Sequence, residues 1–359
     1  MELLDALVDP PGIVLPGTSA VHIDVDLRTP VDAGLAAAAD RERHPVYTLD
    51  PSLSSMRIVA VVGPGVVRAR GVEGLHSFSR TAGAGVLNTW GAKGVERWDS
   101  PWHFGTIGLQ ARDLELADVA GADLVVVAGV DPAELPGGGP GHPLTQEVHP
   151  AQLAALCVDW GSPAAVEPTR PALYEELSRV LTPLYEDDSA PLSGPRASLH
   201  LSGALPEGGM AVVDPGPAGF WVARTFPTSI PNSVCIPAVT EPGEAAGFAA
   251  AAAMACRLEG RPVLAVTDEA GFEAPETAAV LAFAERLSVP VALQVWRDEP
   301  AAAGSWESAS QHVELLGEHL AAQQVRVDDV PVRLGETGAV EQVAGAVQMA
   351  GGRTRPGPT

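Results

Sequence analysis

The stretch from Arg261 to Asp298 constrains the fold more than any other part of the chain, because it reads as strand, acidic turn, helix and strand. Its two apolar runs, RPVLAVTD and VPVALQVW, are typical of strands that are covered on both faces of a parallel sheet. A helix is predicted between them, from Pro275 to Leu287. Because open α/β sheets bind ligands beyond the carboxyl ends of their strands, the acidic turn TDEAG is the first candidate site.

The same alternation of strands and helices extends through most of the chain. A β-branched run from Arg57 to Val62 ends in the turn Gly63-Pro64-Gly65, and further strands are predicted in ADLVVVAGV and MAVVDPG. A chain of 359 residues, 46% of them hydrophobic, exceeds what one core usually organises. The predicted fold class is therefore α/β, with two Rossmann-like domains whose mainly parallel sheets are covered by helices on both faces.

Breaks in this pattern predict the domain boundaries. Residues 1–50 hold an N-terminal strand, VHIDVDL, and a connector. Residues 51–184 form the first domain and residues 200–350 the second. The segment between them, 185–199, is acidic and then rich in proline and serine, which favours a linker. Residues 351–359 have nothing to pack and are expected to be a disordered tail.

Charge and cysteine content exclude several classes of partner. The 22 basic and 45 acidic residues give a net charge of −23, which opposes binding to nucleic acid or to an anionic membrane. The longest apolar run, Ala245 to Cys256, is shorter than the roughly 20 residues of a membrane span. Three scattered cysteines, Cys157, Cys235 and Cys256, fit neither a zinc site nor a disulfide framework. We expect a cytoplasmic protein with reduced thiols.

Several segments, in order, resemble thiamine diphosphate (ThDP) enzymes of the acetolactate synthase, pyruvate oxidase and benzoylformate decarboxylase group. SAVHIDVDLRTP is similar to the strand that leaves the pyrimidine-binding domain of that family. RIVAVVGPGVV, LNTWGAKGVERWDSP, FGTIGLQ and ADLVVVAGVDPAE occupy the places of its central-domain motifs. AVVDPG, RPVLAVTDEAGF and VPVALQVW resemble its diphosphate-binding domain. The resemblance covers roughly residues 19–347 and implies that the pyrimidine-binding domain is missing.

The resemblance implies a set of cofactor-binding positions. In the family, a GDG motif at the end of a strand and a later asparagine hold a divalent cation against the diphosphate. Here Asp268, Glu269 and Ala270 occupy the motif, and the asparagine position falls at Arg297 or Asp298. The implied metal ligands are Glu269 and Asp298. The implied cofactor-binding residues are Gly243, Gly247, Asp268, Ala270 and Gly271.

An alternative interpretation needs no ligand. Both glycines of the GDG motif are lost, and Arg297 would compete for the same carboxylates. The apolar wedge that bends the cofactor precedes a Gly-Phe pair in the family, but Ala246 stands there. Asp268 and Glu269 would then be a solvated acidic turn that caps the helix beginning near Pro275. Because the glutamate that activates the cofactor belongs to the missing domain, no catalytic residue is assigned.

Three functions follow from these observations. The first is a diverged homologue that is not catalytic alone and serves as a structural or regulatory subunit. The second is a ThDP- and Mg²⁺-binding subunit of a split lyase or transferase acting on 2-oxo acids, with its pyrimidine domain on another chain. The third is a protein that binds FAD or ADP as an effector, although FAD is not expected from any motif. A homodimer, or a complex with a pyrimidine-domain ThDP protein, is the expected assembly.

Overall fold

The computed structural model describes residues 47–135, 139–161, 167–241, 243–298 and 306–349. The predicted N-terminal strand and the predicted tail lie outside these residues. All of these described residues belong to one compact unit. Within it, two separate parallel sheets confirm the predicted α/β class.

The first sheet has five strands in the order β3-β2-β1-β4-β5, and every neighbouring pair is parallel. Its strands are β1 (Ile58–Val62), β2 (Gly85–Asn88), β3 (His103–Thr106), β4 (Leu124–Ala128) and β5 (Thr145–Val148). The helices of this part are α1 (Gly65–Arg68), α2 (Val72–Ala82) and α3 (Asp113–Leu116). Short 3-10 turns lie at Pro51–Ser55, Trp90–Ala92, Val119–Gly121, Pro132–Glu134 and Pro150–Ala155.

The second sheet has six strands in the order β6-β11-β10-β9-β7-β8, again all parallel. Its strands are β6 (Leu192–Ser193), β7 (Met210–Val213), β8 (Val234–Cys235), β9 (Val263–Asp268), β10 (Ala292–Arg297) and β11 (Arg326–Arg333). The helices are α4 (Ala172–Glu186), α5 (Gly194–Ala204), α6 (Pro217–Thr225), α7 (Phe248–Leu258), α8 (Glu269–Glu273), α9 (Pro275–Leu287), α10 (Ser310–Leu320) and α11 (Gly338–Ala344). None of the described helices is both long and apolar enough to cross a bilayer.

The apolar strands are buried on both faces, as their continuous hydrophobic runs predict. In β1, Val59 and Val61 join one core cluster, whereas Ala60 and Val62 join another on the opposite side. The first of these clusters continues into the second sheet, where it includes Trp296. The two sheets therefore share part of one hydrophobic core.

The segment 185–199 connects the two parts but is more ordered than the predicted linker. It contains the end of α4, the short strand β6 and the first half of α5. β6 pairs with β11 through Leu192 and Val332, and Gly194 lies so close to Trp221 that a Cβ atom would be 2.3 Å from its ring. Tertiary contacts of this kind leave no periodic signal in a proline-rich sequence.

Candidate functional site

Two buried aspartates lie side by side at the carboxyl edge of the second sheet. Asp214 directly follows β7, and Asp268 is the last residue of β9. The two strands are neighbours in the sheet, with Val213 opposite Val266. Thr267 joins the pair, because its Oγ1 donates a hydrogen bond of 2.6 Å to Asp214 Oδ2. Parallel pairing therefore brings together two carboxylates that are 54 positions apart in the sequence.

Three helix amino termini converge on these carboxylates. Asp214 Oδ1 accepts a 2.7 Å hydrogen bond from the backbone N–H of Ala249, in the first turn of α7. Asp268 Oδ1 accepts a 3.0 Å hydrogen bond from Gly271 and caps α8. Burial raises the pKa of Asp268, and the backbone N–H of Ala218, in the first turn of α6, partly opposes this rise. Helix amino termini are natural anion sites, since unpaired N–H groups and the helix dipole both favour negative charge.

Burial makes the two negative charges costly. It raises the pKa of Asp214 above its usual range, and the neighbouring charge of Asp268 raises it further, against the hydrogen bonds from Thr267 and Ala249. Burial likewise raises the pKa of Asp268, with a further contribution from Glu269, against the backbone N–H groups. The edge of the sheet is thus a crowded anionic site.

Glycine packing closes the space around these carboxylates. A Cβ atom at Gly216 would lie 2.1 Å from Asp268 Oδ2, and one at Gly271 would lie 2.2 Å from Thr267 Oγ1. Asp268 Oδ2 is buried without a hydrogen-bond partner of normal geometry. The carboxylate group therefore fills the gap between the strand end and the start of α6.

The other predicted cofactor-binding positions surround this edge. Gly247 is the N-cap of α7 with φ +79°, and a Cβ there would lie 2.9 Å from the backbone nitrogen of Thr277. Gly243 has φ +90° and open surroundings. Ala270 lies in the first turn of α8. Their binding of a cofactor stays a prediction, because no bound group tests it.

The two predicted metal ligands are engaged elsewhere. Glu269 Oε1 accepts a hydrogen bond from Arg297, whose Nε also lies 2.8 Å from Asp329 Oδ1. Asp298 Oδ2 accepts a 3.0 Å hydrogen bond from the backbone N–H of Gly335. Among the described residues, no group of three or more histidine, cysteine, aspartate or glutamate side chains is arranged to hold a metal. A metal role for Glu269 and Asp298 remains a prediction.

The alternative interpretation of a solvated, capping turn holds only in part. Asp268 does cap a helix, but it is α8 rather than α9, whose N-cap Ala274 has no side-chain hydrogen bond. Asp268 is also buried, whereas Glu269 is exposed. Within this turn, the buried carboxyl group of Asp268 therefore accepts a backbone hydrogen bond, and the exposed Glu269 that follows it forms an ion pair with Arg297.

A diphosphate with a cation does not fit this donor set. It would have to displace Asp214 and Asp268 from the N–H groups of Ala249 and Gly271, and it would add charge beside two carboxylates that are already hard to ionise.

In the first sheet, the turns that follow the central strands β1 and β4 pack directly against each other. Its strand order reverses direction between β1 and β4, which is where such sheets bind nucleotides. The backbone N–H of Gly65 donates a 2.8 Å hydrogen bond to the carbonyl of Gly129, and a Cβ at Gly63 would lie 2.4 Å from that oxygen. The turns after β1 and β4 are therefore in direct backbone contact at this point.

The sequence interpretation missed Asp214 as a site residue. The pattern that could have identified Asp214 is an acidic residue directly after the apolar run MAVV. Asp268 has the same position after VLAVT. Two such strand ends are candidates for one site whenever their strands are adjacent and parallel.

Comparison with known proteins agrees with the predicted resemblance. Residues 53–159 match the sequence profile described as thiamine pyrophosphate enzyme, central domain. This part of the chain is therefore similar in sequence to that domain. Among curated proteins there is no match.

The chain is similar in fold to a solved protein from Mycobacterium smegmatis, whose assignment as a thiamin diphosphate-dependent enzyme is itself provisional. The match has a TM-score of 0.55 and 19% sequence identity, and it covers 84% of this chain. At this identity the likeness shows the fold alone. The chain spans 64% of the length of that protein's chain.

Proposed function

We propose that this chain is a diverged ThDP-enzyme homologue that does not catalyse a reaction alone and acts as a structural or regulatory subunit. One observation carries the proposal: the carboxylates of Asp214 and Asp268 occupy helix amino termini that would otherwise be free to bind a diphosphate. An internal anion satisfies the same N–H groups without a cofactor. In this proposal the chain keeps the fold, and the carboxylates of Asp214 and Asp268 take the place of the diphosphate.

A calorimetric titration of the full chain with ThDP in the presence of MgCl₂ tests this proposal. We expect no saturable heat at concentrations up to about 1 mM, which corresponds to a binding free energy weaker than about −4 kcal/mol. A thermal shift assay with the same ligands should show no change in Tm. Saturable binding at micromolar concentrations, in either assay, would refute the proposal.

A split enzyme is the second candidate, and the buried, unpartnered Asp268 Oδ2 favours it, because a cation would satisfy that atom. In this case a partner chain would supply the pyrimidine domain and its glutamate. Coexpression with a pyrimidine-domain protein should then restore ThDP-dependent decarboxylation or carboligation of a 2-oxo acid. No activity and no copurification would leave the first proposal standing.

The subunit role includes a partner, and we propose a homodimer or a complex with a pyrimidine-domain ThDP protein. We also place the protein in the cytoplasm, in agreement with its three free cysteines. Light scattering after size-exclusion chromatography measures the mass in solution. A monomeric mass at every concentration would reject the homodimer.

A further inference from the structure

A cavity of about 350 Å³ lies between the first and second sheets and includes none of the aspartates of the carboxylate site. Part of its wall comes from α4, where Leu173, Leu177 and Leu181 recur every four residues on one helix face. Phe226, just beyond α6, adds another apolar surface. A volume of this size is at the lower end for small-molecule sites, so it suits a ligand of few atoms with an apolar body.

Lys93 brings an ammonium group to this apolar cavity. The residue is only 9% exposed, and it lines the cavity together with His103 and Arg224. Among the described residues it has neither a hydrogen bond nor an ion pair through its side chain. A buried lysine without a partner is rare, because transfer of an isolated charge out of water is costly.

The neighbouring charges do not compensate Lys93. Arg224 already pairs with Asp113 at 2.7 Å, and its Nη1 donates to the carbonyl of Thr106 at 2.8 Å. Burial and, to a smaller extent, repulsion from Arg224 lower the pKa of Lys93 to about 7. His103 packs edge-on against Tyr174 and has a buried Nδ1 without a partner. Burial lowers the pKa of His103 to about 3, so it remains a neutral donor or acceptor.

We propose that this cavity binds a small carboxylate with an apolar body, with the Lys93 ammonium as its counter-ion. One uncompensated positive charge calls for one negative charge, and a dianion would leave a second charge in an apolar surrounding. The leucines of α4 and Phe226 would pack on the hydrocarbon part. His103 Nδ1 and the unpartnered Nε of Arg224 are buried polar atoms that could orient the carboxylate.

Calorimetry with hexanoate and its uncharged analogue hexanamide, at pH 6.5, tests the proposal. We expect hexanoate to bind at least tenfold more tightly than hexanamide, and each added methylene from butanoate to hexanoate to increase affinity up to about fourfold. Equal binding of the two compounds, or binding of neither, would overturn the proposal. Tighter binding of hexyl phosphate than of hexanoate would also overturn it, since the site would then prefer a dianion.

Variants assign the binding to this cavity. Lys93→Met should weaken hexanoate at least tenfold and leave hexanamide unchanged. Leu177→Trp should weaken both compounds by filling the apolar part, and it keeps the test valid if the lysine variant does not fold. Arg179→Met is the matched control, because Arg179 lies on the same helix but is 68% exposed and pairs with Glu176. Loss of binding in the control, or retention in both cavity variants, would refute the assignment. The outcome does not depend on the titration with ThDP.

Discussion

Arg224 in α6 and Asp113 in α3 form a buried ion pair between the parts of the chain that carry the two sheets, with Nη2 2.7 Å from Oδ1. Their side chains are 2% and 1% exposed. Asp113 Oδ2 also accepts the backbone N–H groups of Leu109 and Gln110, each at 2.9 Å. A charge pair with this many hydrogen bonds fixes where α6 meets the loop after β3, and Arg224 of this pair lines the same cavity as Lys93.

We expect Arg224→Met to lower the free energy of unfolding by about 3–5 kcal/mol, because it leaves Asp113 buried without a counter-charge. The control is Arg97→Met, which removes an exposed pair with Asp99 and should change stability by less than about 1 kcal/mol. Urea denaturation at pH 7 measures both. The double variant Arg224→Met with Asp113→Asn should recover most of the loss, and equal losses in single and double variants would contradict this account.

Lys93→Met should stabilise the protein at pH 6, and this advantage should shrink as the pH rises towards 10. Burial, followed by repulsion from Arg224, lowers the pKa of Lys93 from 10.5 to about 7 in the folded state. Between these values the unfolded chain binds more protons, so the stability of the wild type rises with pH. The other charged and titratable groups that line the cavity, Arg224, His103, Tyr174 and Tyr185, are the same in both proteins. If the stability profiles of the two proteins stayed parallel from pH 6 to 10, folding would not lower the pKa of Lys93.

Gly216→Ala should destabilise the protein by about 1–3 kcal/mol, because its methyl group would lie 2.1 Å from Asp268 Oδ2 and force the carboxylate away from its position. Gly203→Ala is the matched control. Gly203 lies in α5, and a methyl group there would have no atom within 4 Å. Alanine should therefore raise the free energy of unfolding by about 0.5–1 kcal/mol, because it favours the helix more than glycine does. Thermal unfolding compares the two, and the same sign for both changes would argue against the tight packing at Asp268.

Asp214→Ala should cost about 2–4 kcal/mol, because the N–H of Ala249 and the hydroxyl of Thr267 would both lose a buried acceptor. Asp214→Asn should stay within about 1 kcal/mol of the wild type, since its amide oxygen can accept from Ala249 and its NH₂ can donate to Thr267. Urea denaturation measures the difference. A similar cost for both variants would mean that the negative charge, rather than hydrogen bonding, holds this edge together.

Much of the fold could be predicted because burial on both faces leaves a direct record in sequence. Val59 to Val62 and Val263 to Val266 are runs of apolar residues that only a doubly covered strand accommodates. The segment 185–199 was harder, since its order comes from the contact of Gly194 with Trp221 and from pairing of β6 with β11.

The candidate site could be predicted only in part. The position of Asp268 at a strand end was visible, but its partner Asp214 was not singled out, because strand order within a sheet leaves no mark on either strand. Arg297 was expected to compete with a cation for the carboxylates of this turn. In the structure it forms an ion pair with Glu269 at the surface.

The sequence by itself determined the α/β class with its parallel strands, the acidic strand end and the resemblance to ThDP enzymes, because these depend on local patterns of apolar, glycine and acidic residues. Only the tertiary structure decided what the acidic residues and Lys93 contact. Asp214 and Asp268 bind the helix amino termini because β7 and β9 pair directly. Lys93 is buried at a cavity that residues of α4 and α6 also line. Both outcomes depend on residues far apart in the chain, whose interaction free energy exists only once the elements have packed together.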